Sequence, residues 1–271
     1  MVYDLPTRIF HWLFVAQFLT AIVIGKWFDH ESLEFSYHML AGLTLGFLVL
    51  FRVLWGFVGT KHARFSDFAL NPIDLIGYFR GMFSGDKRRW PGHNPASSWA
   101  AITMMVLALG LGVSGYLMTS GSENDVLADV HEILANTFII VACLHVIGII
   151  VHTIRHKEFI GLSMVDGKKT AISSRDMISS SRPAMGVLLL GLTVGFCMNL
   201  ASNFDAEAQT LQFFGTTLNL SGEEGEDENG GEDEDDESRI GQPSDSENAD
   251  EDGYEDDEED EEDEDDQYQE G

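Results

Sequence analysis

Five apolar runs, Phe10–Trp27, Met39–Phe57, Ala100–Met118, Ile133–Val151 and Ala184–Ala201, limit what this chain can fold into. Each approaches the roughly 20 residues that a helix needs to cross hydrocarbon. In lipid the backbone must satisfy its own hydrogen bonds, so five such runs predict an all-α integral membrane protein. Average composition conceals this, because 44% hydrophobic residues would also suit a soluble domain. The dilution comes from Ser221–Gly271, where 29 Asp and Glu face one basic residue, Arg239. Blocks of like charge broken by Gly, Ser, Asn and Gln cannot bury enough apolar surface to fold. Residues 1–204 hold 15 Lys and Arg against 14 Asp and Glu, so there is no basic face for nucleic acid. The division read from the sequence is a four-helix membrane domain over 1–170, a loop and fifth transmembrane helix over 171–204, and a disordered acidic tail over 205–271.

Basic residues of short loops mark the cytoplasmic side. The loop after the second run carries Lys61, Arg64, Arg80, Lys87, Arg88 and Arg89, and the one after the fourth carries Arg155, Lys157, Lys168, Lys169, Arg175 and Arg182. Thr119–Val130, between them, has no Lys or Arg. The N-terminus is therefore expected inside and the acidic tail outside a cytoplasmic membrane, with Lys26 the one cation on the wrong side. No small-residue cleavage site follows the first run, which reads as a retained span.

Within the fourth run His131 and His145 stand fourteen residues apart. On a helix that spacing returns to within about 40° of the same face and climbs roughly 21 Å, placing two imidazoles at two membrane depths. Ionisable groups inside membrane segments are costly and usually functional. His11 and His38, near the starts of the first and second runs, lie on opposite membrane faces if successive helices are antiparallel. Each can then meet one of the fourth run's histidines, as bis-imidazole ligation of two b-type haems would require. His152 keeps nearly the face of His145 but would sit about 31 Å along the helix from His131, at headgroup depth. His30, His62 and His93 fall in loops or at helix margins and read as solvated. Cys143 and Cys197 lack a CxxCH context for covalent haem attachment and read as packing residues.

The segments DLPTRIFHW (4–12), YHMLAG (37–42), RVLWGFVGTKHARFSDF (52–68), GHNP (92–95) and HEILAN followed by LH (131–145) resemble the bacterial cytochrome b561 and nickel-iron hydrogenase b-type cytochrome family, over about residues 3–170. The resemblance implies a four-helix core holding two haem b groups. His11 and His145 match the ligands of the cytoplasmic-side haem, and His38 and His131 those of the periplasmic-side one. It also implies electron transfer between a membrane quinone pool and a hydrogenase, a dehydrogenase, or a soluble or c-type cytochrome.

Haem propionates need cations or donors at the membrane edge. Arg8, one turn before His11, is the first candidate, with Arg52 or Arg64 behind it and Lys26 at the opposite end. Gly42 and Gly46, with Gly110, Gly112 and Gly115, would let flat rings or neighbouring backbones approach closely. A quinone site is not located, since Asp29, Glu31 and Glu132 compete with Asp67 and His62 as proton acceptors. Two other functions suit the sequence: a quinol-dependent oxygen or superoxide oxidoreductase, and a membrane anchor whose acidic tail recruits calcium or a basic partner such as a cytochrome c.

Overall fold

A computed structural model describes residues 1–84, 90, 92–121, 125–169 and 173–222. Among these, five helices are long and apolar enough to cross a membrane: α1 (Leu5–Trp27), α2 (Leu33–Val58), α4 (Pro95–Thr119), α5 (Asp125–His156) and α7 (Pro183–Ser202). Each extends beyond the apolar run that announced it, and in α1, α2 and α4 a polar cap supplies the first turn. Asp4 accepts from the Thr7 amide, Ser32 from Phe35 and Asn94 from Ser97. Such caps satisfy amides that no preceding turn can reach, and Pro6, Pro95 and Pro183 occupy first turns where a missing N–H costs nothing.

α1 packs along α2 and α7, α4 along α5, and α2 along both α4 and α7. The start of α2 meets the end of α1, where His38 reaches the Ala21 carbonyl, and the end of α4 meets the start of α5, where Ser114 reaches His131. Leu5, Val58, Pro95, His156 and Pro183 thus mark one end of the bundle, and Trp27, Leu33, Thr119, Asp125 and Ser202 the other. Midway between the ends, Phe14 and Phe18 of α1 close on Phe138 of α5, with ring centres 5.9 and 4.3 Å away. Phe138 is 1% exposed and belongs to a cluster with Val49, Phe68, Met105, Leu107 and Ala108.

Outside the spans, among the described residues, lie two short helices, α3 (Pro72–Ser84) and α6 (Ser163–Asp166), three single turns of 3-10 helix and a small sheet. α3 (Pro72–Ser84) is a short helix with Ile73, Ile76 and Phe79 outward, tied to α5 by Arg155, which donates to the Gly81 carbonyl at 3.0 Å and to that of Met82. Beyond α7 three antiparallel strands, β1 (Phe204–Asp205), β2 (Thr210–Phe213) and β3 (Thr216–Asn219), form a small sheet. The β2–β3 hairpin turns on Phe214–Gly215, both at positive φ, as a two-residue turn that keeps the strand twist requires.

The sheet departs from the reading of 205–271 as a disordered tail. Leu211, Leu218 and Leu220 are fully buried against Leu200 with Met39, Leu40, Leu43 and Phe196, so this stretch has a core of its own. Ser36 Oγ donates to the Leu220 carbonyl at 2.9 Å and holds the sheet against the start of α2. The acidic remainder from residue 223, with its expected disorder and docking role, lies outside the described residues.

Candidate functional site

At the far end of the bundle His38 of α2 and His131 of α5 face each other with ring centres 6.3 Å apart at 65°. Two imidazoles sharing one metal through opposed nitrogens, each at about 2 Å, have ring centres roughly 6 Å apart. The His38 Nδ1 donates to the Ala21 carbonyl at 2.8 Å, and the His131 Nδ1 lies 2.8 Å from Ser114 Oγ. Such partners fix ring orientation and leave both Nε2 atoms for a metal. Gly25 and Gly115 make room for these rings: a Cβ on Gly25 would stand 2.9 Å from His38 Nδ1, and one on Gly115 3.4 Å from His131 Cε1. Gly42 and Gly46, one and two turns beyond His38 on its own helix, have only open space where a side chain would project. Lys26, the cation proposed for this end, donates to Asn136 Oδ1 at 3.4 Å.

At the N-terminal end His11 of α1 stands within electrostatic reach of His145 of α5, and its buried Nδ1 has no partner. The two sequence-predicted pairs are therefore brought together, α5 supplying one member of each. Arg8 is half-buried. It donates through Nη2 to the Val165 carbonyl, while its Nε is buried without a partner. Among the described residues no group of three or more His, Cys, Asp or Glu could hold a metal ion. Paired imidazoles with a macrocycle supplying the equatorial nitrogens need no such group.

Sequence reasoning missed a buried polar cluster below the His11 level. His62 and His93 are not solvated. His62 is 1% exposed, and its nitrogens lie 2.6 Å from Asp67 Oδ2 and 2.7 Å from the Asp176 carbonyl. Two acceptor oxygens around one ring require either an imidazolium or a protonated carboxyl. Gly92 is packed against this pair, and a Cβ there would fall 2.6 Å from His62 Nδ1. Asp4, fully buried, accepts from Trp55 Nε1 at 3.0 Å and Thr60 Oγ1 at 2.7 Å besides capping α1. Burial, then the cations Lys169 and Arg52, holds the His93 imidazole well below its usual range and therefore neutral. Lys169 donates to the Gly92 and Trp90 carbonyls, and burial lowers its ammonium to about 8. The GHNP and TKHARF motifs held this signal, since small and polar residues beside Trp55 and Phe65 are what a buried junction needs.

A cleft of about 350 Å3 opens between α3 and the last turns of α5, lined among others by Asp74, Tyr78, Trp90, His152 and His156. Burial raises the Tyr78 phenol, with Arg155 opposing.

These features define a helical membrane protein with His38 and His131 facing each other toward one end of the bundle and His11 within electrostatic reach of His145 toward the other. The model of the family described as prokaryotic cytochrome b561 matches residues 2–167, and the chain belongs to that family. It is therefore a multi-pass bacterial membrane protein of a b-type cytochrome family, and that family implies haem b. A probable Ni/Fe-hydrogenase 1 B-type cytochrome subunit of Escherichia coli K12 is 25% identical over 144 residues, covering 44% of this chain and 60% of that protein. Probable Ni/Fe-hydrogenase B-type cytochrome subunits of Rhizobium leguminosarum and Rhodobacter capsulatus are 26% identical over 148 residues and 20% over 216, covering 46% and 62% of this chain and 62% and 80% of their own lengths. The chain thus spans under two thirds of the first two relatives. No solved structure matches it significantly.

Proposed function

We propose that the chain is a di-haem b-type cytochrome carrying electrons between the quinone pool and a redox partner across the cytoplasmic membrane. The observation that supports this most is the His38–His131 pair, spaced for one metal and oriented through both Nδ1 atoms. His11 and His145 would hold the second haem, with Arg8 at its edge. A bound haem supplies reversible one-electron chemistry at a potential set by ligands, hydrogen bonds and burial. The histidines' part is to fix each ring plane, and that of Ser114 and the Ala21 carbonyl is to hold His131 and His38 in one orientation. The α3–α5 cleft offers a quinone an apolar wall with Tyr78, Asp74 and His152 as proton-carrying groups, and His152 lies two turns, about 10 Å, beyond His145. The names of the relatives favour a hydrogenase as partner, and the loop charges support an N-terminus in the cytoplasm.

The test is haem stoichiometry with redox titration of the purified protein. Two haems per chain are expected, both reducible by quinol. His38→Ala and His131→Ala should each remove the same haem, and His11→Ala and His145→Ala the other. Loss of one haem by both His11→Ala and His38→Ala contradicts the pairing.

A further inference from the structure

Arg52 sits on α2 toward the N-terminal end of the bundle, 4% exposed, and makes no hydrogen bond within the described residues. Its guanidinium carbon lies 5.4 Å from the ring centre of Phe65 and 5.8 Å from that of Phe68, and its Nη1 is fully buried and unpartnered. A cation enclosed this way carries a desolvation cost of several kcal/mol unless an anion meets it. One internal anion, the Asp4 carboxylate, stands within electrostatic reach, but it accepts from Thr7, Trp55 and Thr60 and no hydrogen bond joins it to the Arg52 guanidinium. His93 lies 4.7 Å from the Phe68 ring centre, and its Nδ1 is also buried without a partner. His93 stands within electrostatic reach of both Arg52 and His145.

Two donors, one cationic and one neutral, thus adjoin the same phenylalanine beside the histidine pair of this end, and both lack an acceptor. Arg8, the cation the sequence favours for the haem edge, is half-buried and already donates to Val165. A lipid headgroup or a free anion cannot reach a residue as enclosed as Arg52.

We propose that Arg52, with His93, binds a propionate of the haem held by His11 and His145, anchoring that porphyrin from inside the protein rather than from the solvent edge. The inference rests on the ligand assignment proposed above. The guanidinium would donate to the carboxylate through Nη1 and the imidazole through Nδ1, so both orphaned donors would be satisfied by one anion.

The experiment measures haem dissociation from the purified full-length protein for wild type, Arg52→Gln and Arg52→Lys, reconstituted either with haem b or with its dimethyl ester, whose propionates are neutral. With haem b, Arg52→Gln should release the haem at the His11 end at least tenfold faster and keep the haem at the His38 end. Arg52→Lys, retaining the charge without the fork, should fall between wild type and Gln. With the ester, wild type and both variants should release at the same rate. Equal rates with haem b overturn the proposal, as does a difference that persists with the ester, because Arg52 would then act on packing alone. If Arg52→Gln does not fold, the lysine variant carries the comparison, and its equality with wild type overturns it. A wild-type protein that binds no haem at the His11 end refutes the ligand assignment instead, which is a distinct result.

Discussion

Lys169 shows how much one side chain can couple the loops to the bundle. It donates to two carbonyls of the loop entering α4 and stands 5.2 Å from the ring centre of Tyr3, which itself donates to the Gly92 carbonyl at 3.2 Å. Burial depresses its ammonium from 10.5 to about 8, although Glu158 and Asp67 pull it upward. Its folded form therefore binds the proton less tightly than the unfolded chain, and the full penalty is present below about pH 8. Between about 8 and 10.5 the unfolded state holds a proton that the folded state has released, so stability rises with pH across that window. Melting temperatures in detergent at pH 7.5 and 9.5 should show wild type gaining on Lys169→Met at the higher pH. Identical pH responses would mean that the residue is not enclosed. Nothing in the sequence distinguished Lys169 from the other basic residues of its loop. The charge rule counts cations and is blind to which one folds inward.

At the scale of elements, what the sequence showed and what it hid divide along burial in lipid. The five spans were legible because their solvent is hydrocarbon, which forces long apolar runs. So was the helix that carries both His131 and His145, fourteen residues apart. α3 was not legible, because its thirteen residues are too few to span a membrane and lie in a loop marked by basic residues. The sheet escaped for a different reason: its strands are two to four residues long and their core residues meet helix α2, far away in sequence. The open track on α2 at Gly42 and Gly46 yields a prediction belonging to that helix. Because no neighbouring side chain fills the track, Gly46→Leu should leave helix content unchanged and relieve the roughly 1 kcal/mol that glycine costs a helix interior. It should nonetheless lower occupancy of the His38–His131 haem severalfold, read from the absorbance spectrum, while the other haem stays. Full occupancy of both would show that the track faces lipid instead.

For the molecule as a whole, the two histidine levels differ in what surrounds them. The His38 level is roofed by a folded sheet whose Gln209 also donates to the Glu31 carbonyl, and the His11 level rests on a polar cluster built from the N-terminus, the α2–α4 segment and the residues after α5. Between them lies Phe138, seven residues from His131 and seven from His145, closed against Phe14 and Phe18 in a buried apolar cluster. An electron tunnels through such a layer, but a hydrated ion or a file of water molecules has nothing there to bind. Under the proposed function, charge would cross this layer as electrons alone. Vesicles containing it, with no donor present, should hold a pH gradient as long as protein-free vesicles do, and Phe138→Gly should drain it several times faster. The ring at the centre of the bundle is in this sense the membrane's insulation, continued through the protein.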